Sequence, residues 1–201
     1  MYTPAHFALP DEEAWRILSE AGAGFLLRSS PTGLRSVFVP LVVLDGAVVT
    51  HVARANDWWR DAREGEEVLV AVNVASAYVS PRYYPSRLED PRVVPTWNYV
   101  VVEARGHLSL HEDREWLASQ VRRQTERFEG DVDPWRVDQA PADYLERQLA
   151  AIVGLTVAVL SITGKAKLSQ NRPDQDRREV RRRLGEGSEE ERRVASWMPD
   201  A

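Results

Sequence analysis

The sequence predicts a mainly β fold with flanking helices, and three observations carry that reading. From Phe25 to Val102 the chain is a series of β-branched runs broken by turn signals at Ser30-Pro31-Thr32-Gly33, Asp45-Gly46, Glu64-Gly65 and Ser80-Pro81. Within it, Val42-Val43-Leu44 and Ala47-Val48-Val49 flank Asp45-Gly46, a dipeptide that readily takes the positive φ angles of a tight type I′ hairpin turn. Helical spacing, by contrast, appears in separate short blocks outside this stretch.

The elements follow in order. Asp11, Glu12 and Glu13 after Pro10 form an acidic first turn, and Ala14, Ile17, Leu18 and Ala21 then recur at helical spacing before Gly22. A strand beginning near Val93 and running through Gly106 to Leu110 is long enough to bend and serve two sides of a barrel, with Gly106 as the expected bend. Trp116, Leu117, Val121 and Phe128 mark a helix that carries Arg122, Arg123, Glu126 and Arg127 outward, ends at Gly130 and is expected to cover a barrel opening. Pro141 opens another helix bearing Tyr144, Leu145, Leu149 and Ile152, with Gly154 as its stop and a strand from Leu155 to Ile162 after it. Beyond Pro173 the mixed charges of Asp174 to Arg183 and Glu189 to Arg193 predict a helical segment over 174–198, two solvated helices around a turn at Gly185 and Gly187. With no fixed-period repeat and no low-complexity tract, residues 1–201 are expected to form a single domain.

Composition narrows the function. Hydrophobic residues make up 43% and charged residues 28% of the 201, the balance of a globular chain. The 26 basic against 31 acidic residues leave a net charge of -5, so no global field draws the protein to phosphate backbones and nucleic acid is not an expected partner. Absence of cysteine removes disulfides, thiolate metal sites and cysteine nucleophiles, and is compatible with a cytoplasmic location. No apolar run is long enough to span a bilayer, and no basic-then-apolar leader opens the chain, so no membrane association is expected. G-x-S-x-G, P-loop, G-x-G-x-x-G and H-E-x-x-H motifs are all missing.

Two tracts carry chemistry. Val93 to Tyr99, VVPTWNY, puts the Thr96 hydroxyl, the Trp97 indole and the Asn98 carboxamide at the mouth of one strand, a set suited to a planar ligand. Strict alternation places Trp97 and Tyr99 on one face and Thr96, Asn98 and Val100 on the other. About seventy residues on, Lys167 to Pro173, KLSQNRP, crowds Lys167, Ser169, Gln170, Asn171 and Arg172 into a strand end, a composition suited to an anion. Taken singly, these residues read equally well as an aromatic cross-strand ladder with a satisfied amide. His51, Arg54 and Asn56 end another strand, where a backbone-bonded histidine is the alternative to a ligand. Tyr83 and Tyr84 lie in a proline-bracketed loop, where a phenol could close over a pocket or anchor a second subunit. His6, His107 and His111 have no partner at metal spacing.

These two tracts, with Met1 to Phe7 (MYTPAHF), His51 to Asn56 (HVARAN), Ala77 to Pro85 (AYVSPRYYP) and Pro141 to Tyr144 (PADY), resemble the PaiB family over nearly the whole chain. The resemblance implies a split β-barrel of the flavin-reductase type, a homodimer, and either an FMN-binding negative transcriptional regulator or the haem-dependent piperazate synthase branch. Because a helix-turn-helix reader has no footing in the sequence, the enzyme is the first expectation: haem at a dimer interface, acting on a small amine or hydroxylamine. On that reading His51 is the iron ligand and Arg54 meets a propionate. With FMN, Arg54, Lys167 and Arg172 meet the phosphate instead. In either case Asn56, Thr96, Trp97, Asn98 and Gln170 complete the cofactor site, and Lys167 and Tyr84 are the candidate catalytic groups. The chain departs from the family at Trp58-Trp59, at Phe38-Val39 before Pro40, and at Ala166, which implies an altered pocket.

Overall fold

In the computed structural model, which describes residues 1–199, the strands are β1 (Ala8–Leu9), β2 (Ala23–Ser30), β3 (Gly33–Pro40), β4 (Val42–Leu44), β5 (Ala47–Ala53), β6 (Glu67–Val79), β7 (Thr96–His111) and β8 (Ile152–Lys167). The helices are α1 (Asp11–Glu20), α2 (Arg114–Glu129), α3 (Ala142–Ala150), α4 (Asp174–Gly185) and α5 (Glu189–Trp197). The expected mainly β chain with flanking helices is therefore present, in the strand order β3-β2-β6-β7-β8-β5-β4 with β1 beside β8. Contacts gather the chain into two compact units. The first comprises Met1–Ile17, Asn73–Glu103 and the chain from Thr163; the second comprises Leu18–Val72 and Ala104–Ile162. Strands β6, β7 and β8 each contribute to both.

In the second unit the Asp-Gly hairpin forms as expected. Asp45 and Gly46 have φ of 48° and 78°, both positive as a type I′ turn demands, and Val42 to Leu44 pair with Ala47 to Val49. Strand β2 pairs antiparallel with β3 along its length and with β6, and β5 pairs with β8 from Ala47↔Ala158 to Ala53↔Ile152. Inward positions of period two, Leu26, Val48, Val68, Val70, Val153, Leu155 and Val157, build the core of this unit. In the first unit β1 pairs with β8, and Val79, Val100, Val102, Val180, Leu184 and Val194 are buried. The C-terminal pair α4 and α5 is docked by these few apolar residues, and Ser188 with Glu191 forms a capping box that starts α5.

Three expectations change. Strand β7 starts at Thr96 rather than near Val93, immediately after Pro95, which has no N–H to give a ladder. Its burial alternates in phase from Asn98 to Leu108, so Gly106 does not mark a change of face; a Cβ there would run into the carbonyl oxygen of Ala158, and the glycine serves close strand approach. The change of phase falls in β6, between buried Val72 and buried Ala75, where the chain also passes from the second unit to the first. Helix α3 ends at Ala150 rather than at Gly154, because Ile152 already pairs with Ala53 as β8 begins. Gly154 lies inside β8, where a Cβ would overlap the Trp116 ring of α2. Replacing Gly154 with alanine should therefore overpack the contact and lower unfolding free energy by about 1–3 kcal/mol. Chemical denaturation of Gly154→Ala checks this, and an unchanged midpoint would contradict it.

Candidate functional site

Lys167, Thr96, Trp97, Asn98, Gln170, Arg172 and Tyr84 come together in the first unit. At the mouth of β7, Asn98 points inward and is fully buried, while Trp97 on the opposite face is 54% exposed. Trp97 meets the exposed Tyr78 of β6 edge to face, with centroids 6.3 Å apart. Lys167, at the end of β8, donates to the Thr96 hydroxyl and to the Trp97 carbonyl oxygen at 2.9 Å. Two residues before it, Lys165 is on the same face of the strand and donates to the Tyr2 carbonyl at 3.1 Å. The Tyr99 ring centroid lies 5.4 Å from the Lys165 ammonium and 5.9 Å from that of Lys167.

Beyond β8 the chain is held by its own side chains. Asn98 Nδ2 donates to Ser169 Oγ at 3.0 Å, and the serine hydroxyl donates back to Asn98 Oδ1 at 3.1 Å. Gln170 Oε1 accepts from the Leu168 N–H and its Nε2 donates to the Ala166 carbonyl, both at 2.6 Å. Asn98 and Gln170 are thus occupied with the loop itself. Arg172 places its guanidinium 4.5 Å from the centroid of the Tyr84 ring. That ring is fully buried and its hydroxyl has no hydrogen-bond partner. Burial raises the Tyr84 pKa above its ordinary 10.0, against the opposing charge of Arg172, so the phenol stays protonated at neutral pH.

Among the described residues, neither Lys165, Lys167 nor Arg172 forms an ion pair, although most guanidinium groups nearby in sequence do: Arg177 with Asp174, Arg182 with Glu179 and Glu186, and Arg183 with Glu179. Burial lowers the pKa of Lys167, and the neighbouring charges of Lys165 and Arg172 lower it further, partly opposed by Tyr99. Three cations with neutral partners, close enough for Lys165 and Arg172 to bear on Lys167, have the chemistry that suits an anion.

His51, Arg54 and Asn56 belong to the second unit. His51 is half-buried, lines an open depression of about 270 Å³ together with Val37, Phe38, Val39, Val52 and Ile152, and its buried Nδ1 has no hydrogen-bond partner. Burial lowers its pKa below 6.5, which keeps the imidazole neutral at pH 7. Arg54 is committed elsewhere: it donates to the Ala150 and Ile152 carbonyls at 3.0 and 3.1 Å and pairs with Glu112, closing the C-terminal end of α3. Asn56 accepts from the Trp58 N–H at 2.9 Å and so fixes the turn after β5. Trp58, at the family departure, is fully buried under the Arg28 guanidinium, 5.1 Å from its ring, while Trp59 Nε1 donates to the Arg54 carbonyl at 3.1 Å. His111 stacks on Trp116 at 3.9 Å and shares a hydrogen bond with Thr156 at 2.9 Å, and His6 packs on Phe7. No group of three or more histidine, cysteine or carboxylate side chains in the described residues could hold a metal.

The sequence singles out Lys165 only beside Lys167, as a candidate for proton transfer, and does not single out Tyr78. The i, i+2 spacing of Lys165 to Lys167 carried the signal for the lysine, whereas nothing local pairs Tyr78 with Trp97.

Residues 1–161 match the family described as "Putative FMN-binding domain". The "Protease synthase and sporulation protein PAI 2" of Bacillus subtilis (strain 168) is 32% identical over 207 residues, covering 100% of this chain and 97% of that protein. Among solved structures, the chain is similar to a conserved hypothetical protein from Mycobacterium tuberculosis, with TM-score 0.58, 14% identity, and coverage of 86% of this chain and 94% of the other. It is also similar to the FAD and haem binding protein from Mycobacterium smegmatis, with TM-score 0.57, 16% identity, and coverage of 83% and 76%. At these identities the likeness shows the fold, a split β-barrel.

The histidines give a pH dependence. Burial is the first cause that lowers both His51 and His111 below 6.5. Above pH 6.5 neither folded nor unfolded chain binds these protons; as pH falls through 6.5 the unfolded chain binds them first, so stability declines. In His51→Gln the loss of stability between about pH 7 and 5 should be smaller than in the natural chain. Equal slopes in urea titrations across that range would contradict the assignment.

Proposed function

The chain belongs to the PaiB family of FMN-binding-domain proteins, and from that premise we propose that it binds FMN, with the phosphate at the loop after β8. One observation carries the proposal: Lys165, Lys167 and Arg172 gather in one unit with no carboxylate partner among the described residues. Such a donor set fits a phosphate dianion, since a guanidinium keeps its charge at all relevant pH and two ammonium groups add point charges. The exposed Trp97 and Tyr78 rings offer the flavin an aromatic surface. Bound FMN supplies hydride or single-electron chemistry; the protein's share is to hold the phosphate, present the rings and keep the Tyr84 phenol protonated. Lys167, with its lowered pKa and fixed hydrogen bonds, is the group placed to carry a proton.

A second reading is favoured by His51. A neutral imidazole with an orphaned nitrogen, beside an apolar wall of Val37, Phe38, Val39 and Ile152, fits haem ligation. It supports the haem-dependent enzyme acting on a small amine or hydroxylamine. The regulator alternative draws less support, because the arginines of α4 named above are neutralised within their own helix rather than presented to a phosphate backbone. Among the described residues no helix is long and apolar enough to cross a membrane.

The outward face of β2 and β3 carries Phe25 against Phe38, ring centroids 5.1 Å apart, with Phe38 62% exposed. An apolar sheet face of this kind supports a homodimer. Light scattering should give the mass of two chains, and the mass of one at micromolar concentration would contradict that part.

Titration of the purified protein should quench FMN fluorescence and bind FMN at least about tenfold more tightly than riboflavin, which lacks the phosphate. Arg172→Ala should abolish that preference. Haem loading with a Soret band lost in His51→Ala, and no FMN binding, would shift the assignment to the second reading.

A further inference from the structure

Asn98 and Ser169 were candidates for cofactor contact by composition, yet their geometry gives them a different task. Asn98 is completely buried on the inward face of β7 and bonds Ser169 in both directions, at 3.0 and 3.1 Å, with a longer contact from Nδ2 to Met198 Sδ at 3.9 Å. Ser169 is itself buried and holds φ at +65°, in the left-handed region that serine seldom takes. That turn reverses the chain after β8. The Ser169 carbonyl then accepts from the Arg172 N–H at 2.9 Å, so the same residue fixes where Arg172 leaves the loop. On the other side of Ser169, Lys167 is tied to Thr96 and Trp97, the two residues that precede Asn98.

We propose that the Asn98–Ser169 pair is a positioning latch for anion binding: it touches no ligand, and it holds the β8–α4 loop in the conformation that keeps Arg172 beside the strand-borne Lys165 and Lys167, so that the three can serve one phosphate-sized anion. The latch rests on the FMN reading for its ligand but on the loop geometry for its existence. Without it, the loop samples other conformations and the cations must be ordered at the moment of binding, which costs affinity. Arg172 also moves away from Lys167, whose pKa its charge helps to lower. Glycine at position 169 accepts the positive φ while deleting the hydroxyl, so the fold should survive.

The test uses the full chain and two readouts. For Ser169→Gly, the thermal midpoint should stay within about 5 °C of the natural protein, FMN should bind about tenfold more weakly, and riboflavin binding should not change. In protein without added cofactor, the Lys167 ε-carbon resonance should titrate at higher pH than in the natural chain, toward the ordinary lysine value. Ser169→Ala removes the hydroxyl without adding backbone freedom and should show the same changes; if glycine alone shows them, chain flexibility is the cause and the latch is overturned. An unchanged Lys167 titration in both variants overturns it as well. Should the natural chain bind FMN no better than riboflavin, the FMN reading fails, and the lysine titration still decides the latch by itself.

Discussion

Reciprocal hydrogen bonds between Asn98 and Ser169 constrain what the end of β8 can present, because each group is buried and a buried amide or hydroxyl left unpaired costs about 1–3 kcal/mol. Strand β7 and the loop after β8 are therefore bound to one arrangement. A left-handed serine adds strain on the order of 1–3 kcal/mol, and such strain persists only where its surroundings over-determine it. They do so here: Gln170 bridges the Leu168 N–H to the Ala166 carbonyl, and Arg172 is fixed through its own N–H.

The electrostatics depend on that constraint. In a chain of net charge -5, guanidinium groups commonly sit beside carboxylates, as in the Arg28 contacts to Asp61 and Glu66 or the Arg114–Glu146 pair. The β8 end breaks the habit. Like charges at Lys165, Lys167 and Arg172 repel, and burial disfavours the charged form of Lys167, so the ligand-free loop is electrostatically unfavourable. An anion relieves all of these at once, whereas the pairs on α4 have nothing to gain from one. Lys165 is buried, and the half-buried Lys167 and Arg172 are partly screened by solvent, which makes the set a device for recognition more than for stability.

Much of the fold was legible because local rules agreed with it. Asp45-Gly46 named its turn, and Asp11 to Glu13 named the start of α1. Gly154 was misread since a glycine after a helical pattern looks like a stop, and the Trp116 ring it accommodates is distant in sequence. The site was legible as two tracts, and their union is real: Thr96, Trp97 and Asn98 meet Lys167 and Ser169. Roles within it were not legible. Whether Asn98 or Gln170 reaches out to a ligand or back to the loop depends on side-chain direction at a strand end, and whether Arg54 is spare depends on Glu112 and on the carbonyls of Ala150 and Ile152, nearly a hundred residues away.

On the FMN reading a phosphate, and not merely an aromatic ring, is held at the end of β8 and the loop after it. Phosphorus-31 resonance of FMN during titration with the protein tests it most directly. The phosphate signal should shift and broaden as the complex forms, and lose that response when Lys167 and Arg172 are replaced together. A flavin whose visible spectrum changes on binding while its phosphorus signal stays at the free position would contradict it.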